Sequence, residues 1–149
     1  MKPITLLMLL CLALAGLAAP ALADDKQVRF GDYEIHYNVF PSTFLSPEVA
    51  AANNLNRSRG IGVVNIAIMK RSDDGSLNTV PGQVEGQVLN DVRQAKFLAF
   101  RRIQEGDAVY FIAEYQYTGG ELMTFQITAR PSGHDREMPV RFSQALFND

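Results

Sequence analysis

The stretch that decides the fold runs Val109-Tyr110-Phe111-Ile112-Ala113-Glu114-Tyr115-Gln116-Tyr117-Thr118-Gly119-Gly120-Glu121-Leu122-Met123-Thr124-Phe125-Gln126-Ile127-Thr128-Ala129. Val109, Phe111, Ala113, Tyr115 and Tyr117 recur at period two, as do Met123, Phe125, Ile127 and Ala129 beyond the glycines. Successive side chains of a strand point to opposite faces, so each run presents one apolar face. The pair Gly119-Gly120 tolerates the positive φ of a tight turn, and the whole predicts a β-hairpin whose two strands pair with one another.

The same alternation recurs upstream. Tyr33, Ile35, Tyr37 and Val39 alternate with Glu34, His36 and Asn38, and Gly62, Val64, Ile66 and Ile68 alternate with Val63, Asn65, Ala67 and Met69. Ser72-Asp73-Asp74-Gly75-Ser76 predicts a turn into a strand containing Val84, Val88 and Leu89. Gln104-Glu105-Gly106-Asp107 predicts another, between a strand over Phe97 to Ile103 and the late hairpin, and a last strand is expected over Val140 to Phe147. One segment departs from the pattern. Ser46-Pro47-Glu48-Val49-Ala50-Ala51-Ala52-Asn53-Asn54 places Ser at an N-cap, Pro in the first helical position, an acid in the first turn and Asn at the stop, which predicts a short inserted helix.

Seven strands, one helix and no βαβ alternation give an all-β fold: a two-sheet antiparallel, immunoglobulin-like sandwich with one short inserted helix. A small closed barrel needs the same alternation and stands as the competing architecture. No repeat or linker divides residues 24–149, so they form a single domain.

The amino terminus has the layout of a signal peptide. Lys2 precedes an apolar run from Ile4 to Leu17, and Ala21-Leu22-Ala23 supplies small side chains for cleavage between Ala23 and Asp24. The run is shorter than the ~20 apolar residues of a membrane-spanning helix, so residues 1–23 are expected to be removed and to leave no stable membrane anchor. Cys11, the one cysteine, follows Leu10 within the apolar run rather than a small residue at the cleavage point, so it is lost with the leader. The mature chain, a periplasmic protein on this reading, then has no disulfide and no thiolate metal site. Cleavage removes Lys2 alone among the charged residues, leaving 13 basic against 16 acidic side chains. That balance does not favour nucleic acid as a partner.

The chemical inventory is sparse. No Gly-x-Ser-x-Gly elbow is present, and Asp73-Asp74-Gly75 lacks the spaced oxygen ligands of a calcium loop. His36 shares a strand face with Glu34 and Asn38, and Arg57 and Arg59 lie in the polar loop after the helix. These five, Glu34, His36, Asn38, Arg57 and Arg59, are the candidate binding residues; no catalytic residue and no cofactor is assigned. Met69, Met123, Met138, His36 and His134 are the soft ligands that could select copper, but only His134 and Met138 are near in sequence. The tyrosines and phenylalanines of the late strands read as core.

Phe30-Gly31-Asp32-Tyr33-Glu34-Ile35-His36-Tyr37-Asn38, followed by Ser42-Thr43-Phe44-Leu45-Ser46-Pro47-Glu48-Val49-Ala50, resembles an uncharacterised family of exported proteins of Gram-negative bacteria, domain of unknown function 4426. Further agreement lies at Arg57-Ser58-Arg59-Gly60, Gly62-Val63-Val64-Asn65 and Arg141-Phe142. The resemblance implies a periplasmic location and one β-rich domain; it implies no activity, ligand or site residue. The leading expectation is therefore a non-enzymatic binding or accessory domain that engages an envelope protein or other envelope component. The alternative is an enzyme or copper-handling protein centred on His36.

Overall fold

The computed structural model describes residues 26–147. The leader, Cys11 and the expected cleavage point at Ala23 and Asp24 lie outside the described residues. Ten strands are formed among the described residues: β1 (Gln27–Phe30), β2 (Tyr33–Pro41), β3 (Ile61–Arg71), β4 (Leu77–Thr79), β5 (Gly82–Leu89), β6 (Ala95–Leu98), β7 (Arg101–Glu105), β8 (Ala108–Gln116), β9 (Leu122–Pro131) and β10 (Met138–Ala145). They build two antiparallel sheets, β1-β2-β3-β8-β7 with β4 also on β3, and β10-β9-β5-β6. The sandwich, not the barrel, is the architecture.

Alternation sets the two inner faces. Ile35, Val64, Ile66, Ile68, Phe111 and Tyr115 from the first sheet meet Val88, Phe125, Ile127, Met138 and Val140 from the second, all within one core. Aromatic rings cross the interface: Tyr37 stacks on Phe142 at 4.1 Å, Phe142 on Phe125 at 4.8 Å, and Tyr115 meets Phe125 edge-on at 5.0 Å. Such offset and edge-on pairs add to the area that they bury.

The predicted hairpin between the late strands does not form. β8 pairs with β3 and β7, whereas β9 pairs with β10 and β5 in the opposite sheet. The glycine turn is an arch between sheets, pinned where Tyr117 N–H donates to Gly60 O at 3.0 Å and Gly120 N–H to Leu146 O at 2.7 Å. Both arrangements bury the same alternate side chains, so periodicity is blind to the difference. The predicted strand over Phe97 to Ile103 is likewise broken at Ala99-Phe100, with β6 in one sheet and β7 in the other. The Ser72–Ser76 turn leads to the short β4 on β3 before the chain crosses to β5.

The helix forms as read. α1 (Pro47–Ala52) is capped by Ser46, whose hydroxyl accepts from Val49 N–H at 3.2 Å, and it ends where Asn54 turns left-handed at φ 55°. It lies with its flanking turns on the outer face of the first sheet. Arg101 holds it there, donating to Asn53 O and Asn54 O at 2.8 and 2.9 Å while pairing with Glu114 at 3.0 Å.

Candidate functional site

Antiparallel register fixes what surrounds His36. On the outer face of the first sheet His36 lies opposite Ala67, Glu34 opposite Met69 and Asn38 opposite Asn65. Across β3, Met69 faces Thr79, and one step beyond the Ile66 and Phe111 pair, Tyr110 reaches the same face. Ala67 is the small residue at the centre, and its short side chain leaves a hollow of about 520 Å³ walled by His36, Asn38, Asn65, Met69, Thr79 and Tyr110, with Lys26 and Gln27 also lining it.

His36 is held from behind. Its Nε2 lies 3.1 Å from Glu34 Oε2, and the other carboxylate oxygen of Glu34 accepts from Arg71 at 3.0 Å. Glu34 is buried at 5% exposure. The His36 hydrogen bond, then the Arg71 guanidinium, hold its carboxyl below the usual carboxylate range against the opposing pull of burial. An ionised carboxylate only accepts, so Nε2 carries the proton and donates, which leaves the lone pair of the neutral ring on Nδ1. Arg71 is itself braced, donating to Gly75 O at 3.1 Å.

One polar atom of a residue that lines the hollow is unserved. Asn65 Oδ1 is buried with no hydrogen-bond partner, as are the hydroxyls of Tyr115 and Tyr117 elsewhere. Those tyrosines line a larger cavity, about 850 Å³, at the arch end of the sandwich, together with Ile61, Val88, Lys96 and Met123. Burial raises the pKa of both phenols. Their side chains are core by position, yet each brings a hydroxyl that the core does not use.

The five sequence candidates divide. Glu34, His36 and Asn38 share one face, and His36 and Asn38 line the hollow. Arg57 is elsewhere and structural: its guanidinium donates to Leu45 O at 2.7 Å and Thr43 O at 3.3 Å, next to Ser42, whose hydroxyl exchanges bonds with the Ser58 backbone at 2.8 Å in both directions. Arg59 is exposed and does not line the hollow. Among the soft ligands, Met123 and Met138 are core at 6% and 1% exposure. His134 packs edge-on against Tyr33 and accepts from Arg136 N–H at 3.1 Å. Only Met69 joins His36.

Arg71, Asn65, Met69 and Tyr110 were not visible as partners of His36 from spacing alone; the β2–β3 register that gathers them is a long-range fact. Among the described residues no three His, Cys, Asp or Glu side chains are gathered into a metal-binding group.

The sequence pattern of DUF4426, a domain of unknown function, matches residues 27–149. The chain belongs to the DUF4426 family. A crystal structure of a DUF4426 protein of Pseudomonas aeruginosa (PA0388) is similar at TM-score 0.73 and 32% identity, over 86% of this chain and 98% of that one. Two structures of FetP from uropathogenic Escherichia coli share the DUF4426 fold more distantly. A copper-bound FetP variant gives TM-score 0.59 at 11% identity over 82% of this chain and 94% of that one, and FetP as isolated after expression in the E. coli periplasm gives 0.56 at 12% over 81% and 92%. No curated protein matches this DUF4426 chain.

Proposed function

We propose that this DUF4426 protein is a non-enzymatic binding domain of the periplasm, exported through residues 1–23 and engaging an envelope protein or other envelope component through the hollow around Ala67. The observation that carries the reading is the ligand-sized concavity itself, walled by His36, Asn38, Asn65 and Met69, with the buried Oδ1 of Asn65 left unpartnered beneath its wall. Such an atom costs free energy for as long as it stays unpaired. Glu34 supports a binding rather than a proton-transfer role, since both of its oxygens are engaged in positioning His36 and Arg71. The Leu-rich leader supports export, and no helix among the described residues is long and apolar enough to cross a membrane. Chain crossings between sheets at β4–β5, β6–β7 and β8–β9 support the immunoglobulin-like reading of the sandwich.

The test is position-specific crosslinking in intact cells. A photoreactive residue at Gln27, on the rim of the hollow, should yield a discrete adduct that Asn65→Ala abolishes. The same residue at exposed Arg141, on the other sheet, should not. Equal labelling from both positions, or none from either, contradicts the proposal.

A second reading, metal handling centred on His36, is favoured by the meeting of His36 and Met69 in one hollow and by the copper-bound state of FetP on the same fold.

A further inference from the structure

We propose that the hollow is a site for a soft monovalent metal ion, Cu(I), held by Nδ1 of His36 and Sδ of Met69, with Glu34 as the positioning residue. The proposal deepens the second reading and rests on the hollow being a binding site. Its first support is register. His36 pairs with Ala67 and Glu34 with Met69, so His36 and Met69 are diagonal neighbours across β2 and β3. Diagonal neighbours stand ~7–8 Å apart at their Cα atoms, within reach of an imidazole and a flexible thioether converging on one ion above Ala67. A larger residue at position 67 would fill that space.

Orientation is the second support. Metal-bound histidines commonly donate their other ring N–H to a carboxylate, which fixes the tautomer and raises the basicity of the coordinating nitrogen. The Glu34 to His36 bond at 3.1 Å is that arrangement, and Arg71 at 3.0 Å keeps Glu34 from swinging forward to become a ligand itself. The donor set is therefore neutral, one nitrogen and one sulfur. Hard divalent ions select carboxylate and carbonyl oxygens, whereas thioether with imidazole selects Cu(I). The cationic Lys26 at the rim adds a charge that penalises a divalent ion more than a monovalent one.

The signal-free chain offers a clean readout, because Met69, Met123 and Met138 are its methionines and two of them are core. Protein labelled at the methionine methyls is titrated anaerobically with Cu(I) buffered by bicinchoninate, and in parallel with Ag(I), which undergoes no redox chemistry. The proposal expects one equivalent bound, with the Met69 methyl shifting and the Met123 and Met138 methyls still. Met69→Leu and His36→Ala should each lower Cu(I) affinity at least ~10-fold. Glu34→Gln should weaken it by ~10–100-fold, as losing the carboxylate that orients a metal-bound histidine does, while Met69 still shifts at saturation. Circular dichroism and the core methyl signals report that each variant is folded. No uptake, undiminished uptake in folded His36→Ala, or shifts confined to the core methionines overturns the proposal. If Cu(I) fails while Gln27 still crosslinks in cells, the metal assignment alone falls; if both fail, the hollow is no binding site.

Discussion

At the scale of single residues, Glu34 and Tyr115 make opposite demands on the fold. The folded Glu34 carboxyl titrates below its unfolded value, so at acid pH the unfolded chain holds the extra proton. The stability this contributes is complete above the unfolded carboxylate pKa of about 4.3 and is shed as pH falls through the lower folded value. Urea unfolding should therefore show wild type losing its advantage over Glu34→Gln between pH 6 and pH 3; an advantage that grows on acidification would be the wrong sign. Arg71→Met leaves one Glu34 oxygen buried and unserved, with an expected loss of about 1–3 kcal/mol in the same assay at pH 7. Tyr115 presents the reverse case. Its hydroxyl is buried and unpartnered, so Tyr115→Phe should leave unfolding stability unchanged or raise it by about 1 kcal/mol. A clear loss would reveal a partner for the hydroxyl. Burial raises its pKa, so it should stay protonated in an ultraviolet titration after exposed phenols have ionised near pH 10.

Elements show where local pattern ends. α1 was legible because every signal for it is local: the Ser46 cap, Pro47, Glu48 and the left-handed Asn54 all lie within nine residues. The strands were legible as strands for the same reason. Their partners were not, since Phe111 and Phe125 bury equally well as neighbours in one sheet or as facing residues of two. What decides for the arch is a set of remote contacts, Tyr117 to Gly60 and Gly120 to Leu146, that no window of sequence contains. Cross-strand Overhauser contacts test this directly. Phe125 should show backbone contacts to Val88 and Phe142, its register partners, and none to β8. Gly62 is a further case, since it faces Tyr115 in register and a Cβ there would stand 2.6 Å from the tyrosine ring. Gly62→Ala should cost roughly 1–3 kcal/mol through overpacking, and Tyr115→Ala in the same chain should relieve part of the strain.

For the whole molecule, the core and the hollow lie on opposite sides of the first sheet. Its inner face carries Ile35, Ile66 and Phe111 into the core, so Phe111→Ala, like other buried Phe truncations, should cost ~3–5 kcal/mol. Its outer face carries the hollow. The β class could be read from patterning. His36, Glu34 and Asn38 could be placed on one face by parity alone, whereas Arg57 drew attention as a loop cation and proves to brace the turns beside α1. Met69, Asn65 and Tyr110 complete the hollow only through strand pairing, at separations of about thirty residues or more from His36. The proposed binding site is this hollow rather than the tyrosine-lined cavity. Its most direct test is a ¹⁵N correlation spectrum of residues 24–149 recorded with and without an envelope extract from cells lacking the gene. Shift changes clustered at Asn38, Asn65, Ala67, Met69 and Tyr110 are expected. Changes confined to Ile61, Lys96, Tyr115 and Tyr117, or no change at all, would contradict it.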